Sequence, residues 1–165
     1  MLYDNTYVNI DLDAILANFE AVRSKTKAPV MAIIKADAYG HGAVQIARLL
    51  EDRVAFFGVS GVGEALELRQ SGLEKPILIL GHTPTAAYPQ IVALGIRPAI
   101  FCLEDAELLS KEAVRQQTTA KFHLAVDTGM SRLGFQCTRA DAAVCAQAAR
   151  LPGLQAEGLF SHFAT

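Results

Sequence analysis

Cysteine is scarce in this 165-residue sequence, which contains only Cys102, Cys137 and Cys145. Their number is odd and no two of them have C-x-x-C spacing, so neither a disulfide framework nor a zinc site is expected. The pattern instead predicts reduced, buried cysteines of the kind found in intracellular proteins.

The sequence also lacks long apolar runs, a signal peptide and basic patches. No apolar run approaches the roughly 20 residues of a membrane-spanning helix. The amino terminus, MLYDNTYVNI, lacks the basic and apolar segments of a signal peptide. The 15 basic and 17 acidic residues give a net charge of −2 and are scattered along the chain. We therefore expect a soluble, cytoplasmic protein with no nucleic-acid or membrane partner.

Hydrophobic residues make up 52% of the sequence, enough for a folded core. Continuous apolar runs alternate with amphipathic segments, which is typical of a parallel sheet covered by helices on both faces. The runs predict six strands, at 30–35, 54–60, 77–80, 98–101, 122–126 and 159–163. The amphipathic segments predict helices at 11–27, 43–51, 63–70, 85–94, 104–116 and 139–150.

Two folds are compatible with this alternation, an open doubly wound sheet and a (β/α)₈ barrel. A complete barrel takes about 250 residues. The sixth predicted strand is followed almost at once by Thr165, with no helix to cover it. We therefore expect residues 1–165 to be a truncated part of a larger domain.

The segment 30–42, VMAIIKADAYGHG, combines an apolar strand with a polar turn. Side chains alternate along a strand, so Lys35 is expected to share the inner face with Met31, while Ala32 and Ile34 face the helices. Lys35 then lies at the carboxyl end of the strand, where barrel enzymes have their active sites. Apolar neighbours favour the neutral amine, which is the form that condenses with an aldehyde.

Four segments, in order along the chain, resemble the alanine racemase family. They are IDLDAILANF at 10–19, KADAYGHG at 35–42, VDTGMSRLGF at 126–135 and GLFSHFAT at 158–165. The second resembles the cofactor-attachment motif of that family. The resemblance implies an α/β fold, an incomplete (β/α)₈ TIM-type barrel with about six of the eight units. Residues 1–165 are then the pyridoxal-phosphate-binding barrel domain, and the carboxyl-terminal β domain is absent.

The resemblance assigns roles to four residues. Lys35 is implied to carry pyridoxal 5′-phosphate as a Schiff base and to be one of two catalytic bases. Tyr39 is implied to contact the cofactor phosphate, Arg132 its phenolic oxygen and His162 its pyridine ring. A guanidinium suits such an oxygen because it donates charge-assisted hydrogen bonds. No chemical role is expected for His41, His82 or His123.

The segment that carries Arg132 departs from the family at one position. Ala125 stands where the family often has a carbamylated lysine that helps to position the arginine, so Arg132 must be oriented in another way. Asp127 is expected to order the following turn through Asx-type hydrogen bonds. Gly129 and Gly134 suit positive φ or close backbone approach.

The implied activity is the interconversion of L- and D-alanine by a head-to-tail homodimer, which supplies D-alanine for cell-wall peptidoglycan. The second base is implied to be a tyrosine from the missing domain of the partner subunit, so this chain alone is expected to have little activity. Three alternatives remain. They are a racemase of another small amino acid such as serine, a non-catalytic pyridoxal-phosphate-binding barrel protein, and an interaction module that associates through exposed sheet edges.

Overall fold

The computed structural model describes residues 7–164, in which strands and helices alternate. The strands are β1 (Met31–Ile33), β2 (Phe56–Val59), β3 (Ile77–Ile79), β4 (Arg97–Ile100), β5 (Ala120–Asp127), β6 (Phe135–Gln136) and β7 (Leu154–Ser161). The helical segments are α1 (Leu12–Arg23), α2 (Lys35–Gly40), α3 (Ala43–Leu50), α4 (Val62–Gln70), α5 (Tyr88–Ala93), α6 (Leu103–Arg115) and α7 (Arg139–Ala148). None of the helices described is both long and apolar enough to span a membrane.

All strand pairs in the sheet are parallel, and the long strands follow chain order. β1 to β5 are each paired with the next, β7 pairs along β5, and the two-residue β6 pairs with the carboxyl end of β5. A doubly wound sheet would reverse its strand order at a switch point. No reversal occurs between residues 7 and 164, so the alternative of an open doubly wound sheet is wrong and the predicted incomplete β/α barrel is confirmed.

The core lies between the sheet and its helices. Phe57, Ile77 and Phe122 on the strands and Leu109 on α6 are fully buried, as the continuous apolar runs require. Asp11 begins α1 by accepting a hydrogen bond from the Ala14 amide at 2.9 Å. Because all the strands are parallel, their carboxyl ends lie together at one edge of the sheet.

Several predicted boundaries were wrong. The helix predicted to reach residue 27 ends at Arg23, and Thr26 Oγ1 accepts from the Ala28 amide in a local turn that competes with helix. The strand predicted at 159–163 runs from Leu154 to Ser161. Its first half pairs with β5, and Glu157 there forms ion pairs with cations on neighbouring strands. β6 was not predicted, and the helix predicted from residue 85 begins with a 3₁₀ turn.

The prediction of buried cysteines was also wrong. Cys102 and Cys137 are exposed and Cys145 is half-buried, and all three are free thiols. Cys102 immediately precedes α6 and Cys137 follows β6. Both therefore lie on connecting segments, which run over the protein surface.

Candidate active site

Lys35 follows β1 at the carboxyl end of the sheet. The Ile34 amide still pairs with the Gly58 carbonyl at 2.9 Å, which continues the β1–β2 ladder to the residue before the lysine. Ile34 is buried against the helices, whereas Met31, Ile33 and Lys35 line one cavity. The alternation predicted from the sequence is therefore confirmed.

A left-handed turn directly follows Lys35. Ala36, Asp37, Ala38 and Tyr39 have φ between 51° and 55°, the opposite hand to an ordinary helix. This turn (residues 36–39) brings the Tyr39 ring under the Lys35 ammonium, with Nζ 5.9 Å from the ring centroid. The reversal thus places lysine and tyrosine together at the cavity mouth, a contact between a cation and an aromatic face.

Polar contacts within the same segment tie the turn to α3. Asp37 Oδ1 accepts from the Ala43 amide at 2.6 Å, and the Asp37 carbonyl accepts from the Gly42 amide at 2.9 Å. His41 Nδ1 lies 2.8 Å from the Ala38 carbonyl oxygen. His41 therefore contributes to the turn and does not line the cavity.

The loop after β5, residues 128–134, forms a second wall. Asp127 is 8% exposed, and its Oδ1 accepts from the amides of Gly129 at 2.8 Å and Ser131 at 3.0 Å. These two amides hold the pKa of Asp127 below its ordinary value. The predicted Asx-type turn is confirmed.

Arg132 projects from this loop toward the cavity. Its guanidinium makes no hydrogen bond and no salt bridge within residues 7–164. Ala125, where the family resemblance implies a lysine, is a buried part of the cavity wall. No side chain described here therefore takes over the positioning of Arg132.

The end of β7 forms the third wall, with Phe160, Ser161 and His162. Ser161 Oγ lies 2.6 Å from Thr128 Oγ1, a contact that joins this wall to the loop after β5. His162 is exposed, with Nδ1 2.8 Å from the Phe163 carbonyl oxygen.

Together these walls enclose a cavity of about 400 Å³. Lys35, Tyr39, Arg132 and His162, the four residues singled out from the sequence, all line it. Most of the apolar residues that line the cavity were not predicted from the sequence. Several of them lie at the carboxyl end of a predicted strand, and that position could have indicated them. These missed residues are Leu78, Leu80, Phe101, Met130, Leu133 and Phe160.

Two other histidines lie outside this cavity. His82 Nε2 is 3.9 Å from Asp105 Oδ2, beyond hydrogen-bonding distance. His123 is buried, with Nε2 3.7 Å from Glu157 Oε2, and burial lowers its pKa despite the neighbouring carboxylate. Neither side chain forms a hydrogen bond or an ion pair with Lys35 within the described residues.

The fold and the cavity define a β/α-barrel protein with its site at the carboxyl ends of the strands. A family model described as alanine racemase, N-terminal domain, matches residues 10–165. The chain belongs to the alanine racemase family. Enzymes of this family use pyridoxal 5′-phosphate.

Individual relatives agree with this assignment. The chain is 40% identical over 161 residues to alanine racemase 1 of Clostridium acetobutylicum, covering 96% of this chain and 42% of that protein. The structure of alanine racemase from Clostridium difficile 630 in complex with cycloserine has 34% identity and a TM-score of 0.96, covering 100% of this chain and 46% of that one. Histidine racemase from Leuconostoc mesenteroides has 29% identity and a TM-score of 0.85, covering 93% and 42%. The chain thus spans less than half the length of these proteins.

Proposed function

We propose that this chain is the cofactor-binding barrel of an amino-acid racemase that acts on alanine. The observation that carries the proposal is the convergence of Lys35, Tyr39, Arg132 and His162 on one cavity. These residues come from three different strand ends, so their meeting is a property of the fold. A family match of 10–165 supports the same reaction.

The lining of the cavity suits the chemistry of pyridoxal phosphate. Its walls are largely apolar, as an aromatic pyridine ring requires, and Lys35 supplies an amine for the aldehyde. The Tyr39 hydroxyl is available for the phosphate. The Arg132 guanidinium, which makes no hydrogen bond or ion pair within residues 7–164, is available for the phenolic oxygen. His162 at the third wall is available to pack against the ring.

Lys35 has two tasks in this proposal. When bound, the cofactor withdraws electrons from the α-carbon of an amino acid and so stabilises the negative charge left by proton removal. The Lys35 amine, when not joined to the cofactor, would take or return the α-proton at Nζ. Arg132 would supply a positive charge for the phenolic oxygen, and the apolar walls would limit the access of water to Nζ.

Racemisation needs a second proton carrier on the opposite face of the substrate. Among the described residues lining the cavity, Tyr39 stands beside Lys35 rather than across from it, with its ring 5.9 Å from Nζ. We therefore assign the second base to a partner subunit of a homodimer, and we expect slow or no racemisation by this chain alone. Supply of D-alanine for peptidoglycan is the corresponding physiological role.

A second candidate substrate is a larger amino acid. This candidate is suggested by the structural similarity to histidine racemase from Leuconostoc mesenteroides, with a TM-score of 0.85. Serine is a third candidate, since it differs from alanine only by a hydroxyl group.

Two measurements test the proposal. The chain is mixed with pyridoxal phosphate, reduced with borohydride and digested, and the modified lysine is found by mass spectrometry. We expect the adduct on Lys35, its loss in Lys35→Ala, and no change in Lys111→Ala, a matched variant at an exposed lysine on α6. An adduct spread evenly over surface lysines of the folded chain contradicts the proposal.

The second measurement follows loss of the α-proton to D₂O, which needs only one base. We expect exchange in one enantiomer of alanine, faster than in serine or histidine, and none in Lys35→Ala. Faster exchange in histidine would assign the chain to the second candidate.

A further inference from the structure

The left-handed turn after Lys35 requires support from outside its own residues. Each non-glycine residue in this conformation costs roughly 1–2 kcal/mol relative to a right-handed helix. Residues 36–39 have this conformation four times in succession without a glycine. Such a segment persists only where its surroundings fix it.

Glu64 supplies a side-chain contact of this kind. Its Oε1 accepts a hydrogen bond from the Ala36 amide at 2.9 Å, the first amide after Lys35. Within residues 7–164, Glu64 is the only residue outside the segment 34–43 whose side chain hydrogen-bonds to the backbone of the turn. Glu64 is the third residue of α4, far from the turn in sequence.

Ser60 in turn holds the carboxylate of Glu64 in place through two hydrogen bonds. Oε2 accepts from the Ser60 amide at 2.7 Å, and Oε1 accepts from the Ser60 hydroxyl at 2.9 Å. Desolvation acts to raise the pKa of Glu64, but the hydrogen bonds from Ser60 and Ala36 outweigh it and hold the pKa below its ordinary value. The carboxylate is therefore ionised at neutral pH and bridges the ends of β1 and β2.

We infer that Glu64 is a positioning residue for Lys35, an inference that rests on the proposed function of the lysine. The Ala36 nitrogen is bonded to the carbonyl carbon of Lys35, so anchoring that amide fixes the peptide plane at which the chain leaves β1. Together with the strand that precedes Lys35, this plane fixes the Lys35 backbone on both sides of Cα, and with it the direction in which the side chain enters the cavity. Glu64 itself does not line the cavity and touches no reacting atom.

A purely structural role makes a different prediction. Glu64 also satisfies an amide near the start of α4, as an acidic residue in a first turn commonly does. Its loss would then lower the free energy of unfolding without changing the turn or the reactivity of Lys35 in molecules that remain folded. The test must therefore observe residues 35–39 directly.

Three variants of the chain separate these roles. Glu64→Ala removes the acceptor, Glu64→Gln keeps one oxygen that can accept from Ala36, and Glu67→Ala is the matched control. Glu67 is exposed on the same helix, and its carboxylate makes no hydrogen bond within the described residues. Circular dichroism defines conditions in which all variants are folded.

The first readout is amide hydrogen exchange at Ala36 and Ala38, measured by NMR without cofactor. Loss of a hydrogen bond to a charged group corresponds to about a tenfold to hundredfold change. We expect exchange at both amides to accelerate by at least about tenfold in Glu64→Ala, less in Glu64→Gln and not at all in Glu67→Ala.

The second readout is the apparent dissociation constant of pyridoxal phosphate, taken as the cofactor concentration at which half of Lys35 is trapped by borohydride. We expect it to rise by about tenfold or more in Glu64→Ala, with partial rescue in Glu64→Gln. Unchanged exchange at Ala36 and Ala38 in Glu64→Ala overturns the inference, and so does an unchanged dissociation constant beside a lower melting temperature. If the unmodified chain forms no Lys35 adduct, the proposed function fails, and the exchange rates alone decide whether Glu64 holds the turn.

Discussion

The Ser131 amide donates a 3.0 Å hydrogen bond to Oδ1 of Asp127, the last residue of β5. Ser131 has φ of +55°, and the next residue is Arg132. The contact therefore ties the middle of the loop at 128–134 to a rigid strand, directly beside the guanidinium proposed to meet the cofactor. The position of Arg132 follows from the backbone of this loop, since no side chain of residues 7–164 holds the guanidinium.

Replacing Asp127 by alanine should release this loop. The change removes the acceptor for the amides of Gly129 and Ser131, whereas Asp127→Asn keeps one side-chain oxygen that can accept both. We expect faster amide exchange across 128–134 and a lower free energy of unfolding in Asp127→Ala, with smaller changes in Asp127→Asn. Equal exchange rates in the two variants would show that the carboxylate oxygen does not hold the loop.

The same contact should make the loop sensitive to acid. Hydrogen bonds from Gly129 and Ser131 lower the pKa of Asp127 in the folded chain. Its contribution to stability is therefore complete above the unfolded-state pKa of about 3.9 and is lost as pH falls through the lower folded value. We expect the Ser131 amide signal in NMR to shift as the pH falls below about 4 and to be constant in Asp127→Asn.

Gly134 at the end of the loop should not tolerate a side chain. It has φ of +126°, and a Cβ there would lie 2.6 Å from the Asp127 nitrogen and 2.8 Å from the Val126 carbonyl carbon. Gly129 has a similar φ of +128° but open space around its Cβ position. We expect Gly129→Ala to lower the free energy of unfolding by about 1–3 kcal/mol from backbone strain alone, and Gly134→Ala to lower it further. Urea titration of both variants measures the difference, and equal values would contradict the close backbone approach.

An ion cluster lies away from the cavity, toward the amino-terminal ends of the strands. Glu157 on β7 accepts from Arg97 Nε on β4 and from Lys121 Nζ on β5, both at 2.9 Å. The side chains of Arg97 and Glu157 are only 13% and 21% exposed, so water screens this pair poorly. Burial acts to raise the pKa of Glu157, but the two cations prevail and lower it to about 2.

Removing the Glu157 charge should destabilise the fold and should alter its response to acid. We expect Glu157→Gln to lower the free energy of unfolding by about 1–3 kcal/mol at pH 7, since two cations lose their partner. The contribution is complete above the unfolded-state pKa of about 4.3 and is lost as pH falls through the folded value, so the difference should shrink between those limits. Urea titrations at pH 7 and near pH 2 measure it.

An exposed ion pair provides the control for this variant. Glu20 and Arg53 are 2.7 Å apart with about half of each side chain exposed. We expect Glu20→Gln to change the free energy of unfolding by less than about 1 kcal/mol. Comparable losses in Glu20→Gln and Glu157→Gln would show that burial does not strengthen the cluster.

The alternation of strands and helices and the four cavity residues could be predicted from the sequence because their signals are local, whereas the strand order followed only from the family resemblance. Apolar runs mark buried parallel strands, and Lys35 and Arg132 stand in long ungapped matches to one family. Glu157 could not be assigned a role, because its partners Arg97 and Lys121 lie on other strands and are joined to it only by the register of the sheet. Polar residues of this kind also hid the start of β7.

The turn after Lys35 was missed for a different reason. Left-handed backbone is normally indicated by glycine and occasionally by asparagine or aspartate, mostly as single residues. Of these residue types the segment 36–39 contains only Asp37, which does not predict four left-handed residues in succession. The sequence thus indicated a strand that ends in a polar turn, but it did not indicate that the turn is left-handed. The hydrogen bond from Ala36 to Glu64 that accompanies the left-handed turn joins residues 28 positions apart, so no short sequence pattern predicts it.

Substitution by glycine in this turn should have the opposite effect to that in an ordinary helix. Ala36 is exposed with φ of +51°, and Ala17 is exposed in the middle of α1. Both substitutions increase the entropy of the unfolded chain alike, but only Ala36→Gly relieves steric strain between Cβ and the backbone. Ala17→Gly should lower the free energy of unfolding by about 1 kcal/mol. We expect Ala36→Gly to be more stable than Ala17→Gly by about 1–2 kcal/mol. Urea titrations under identical conditions measure the difference, and equal destabilisation would mean that residue 36 is not left-handed in solution.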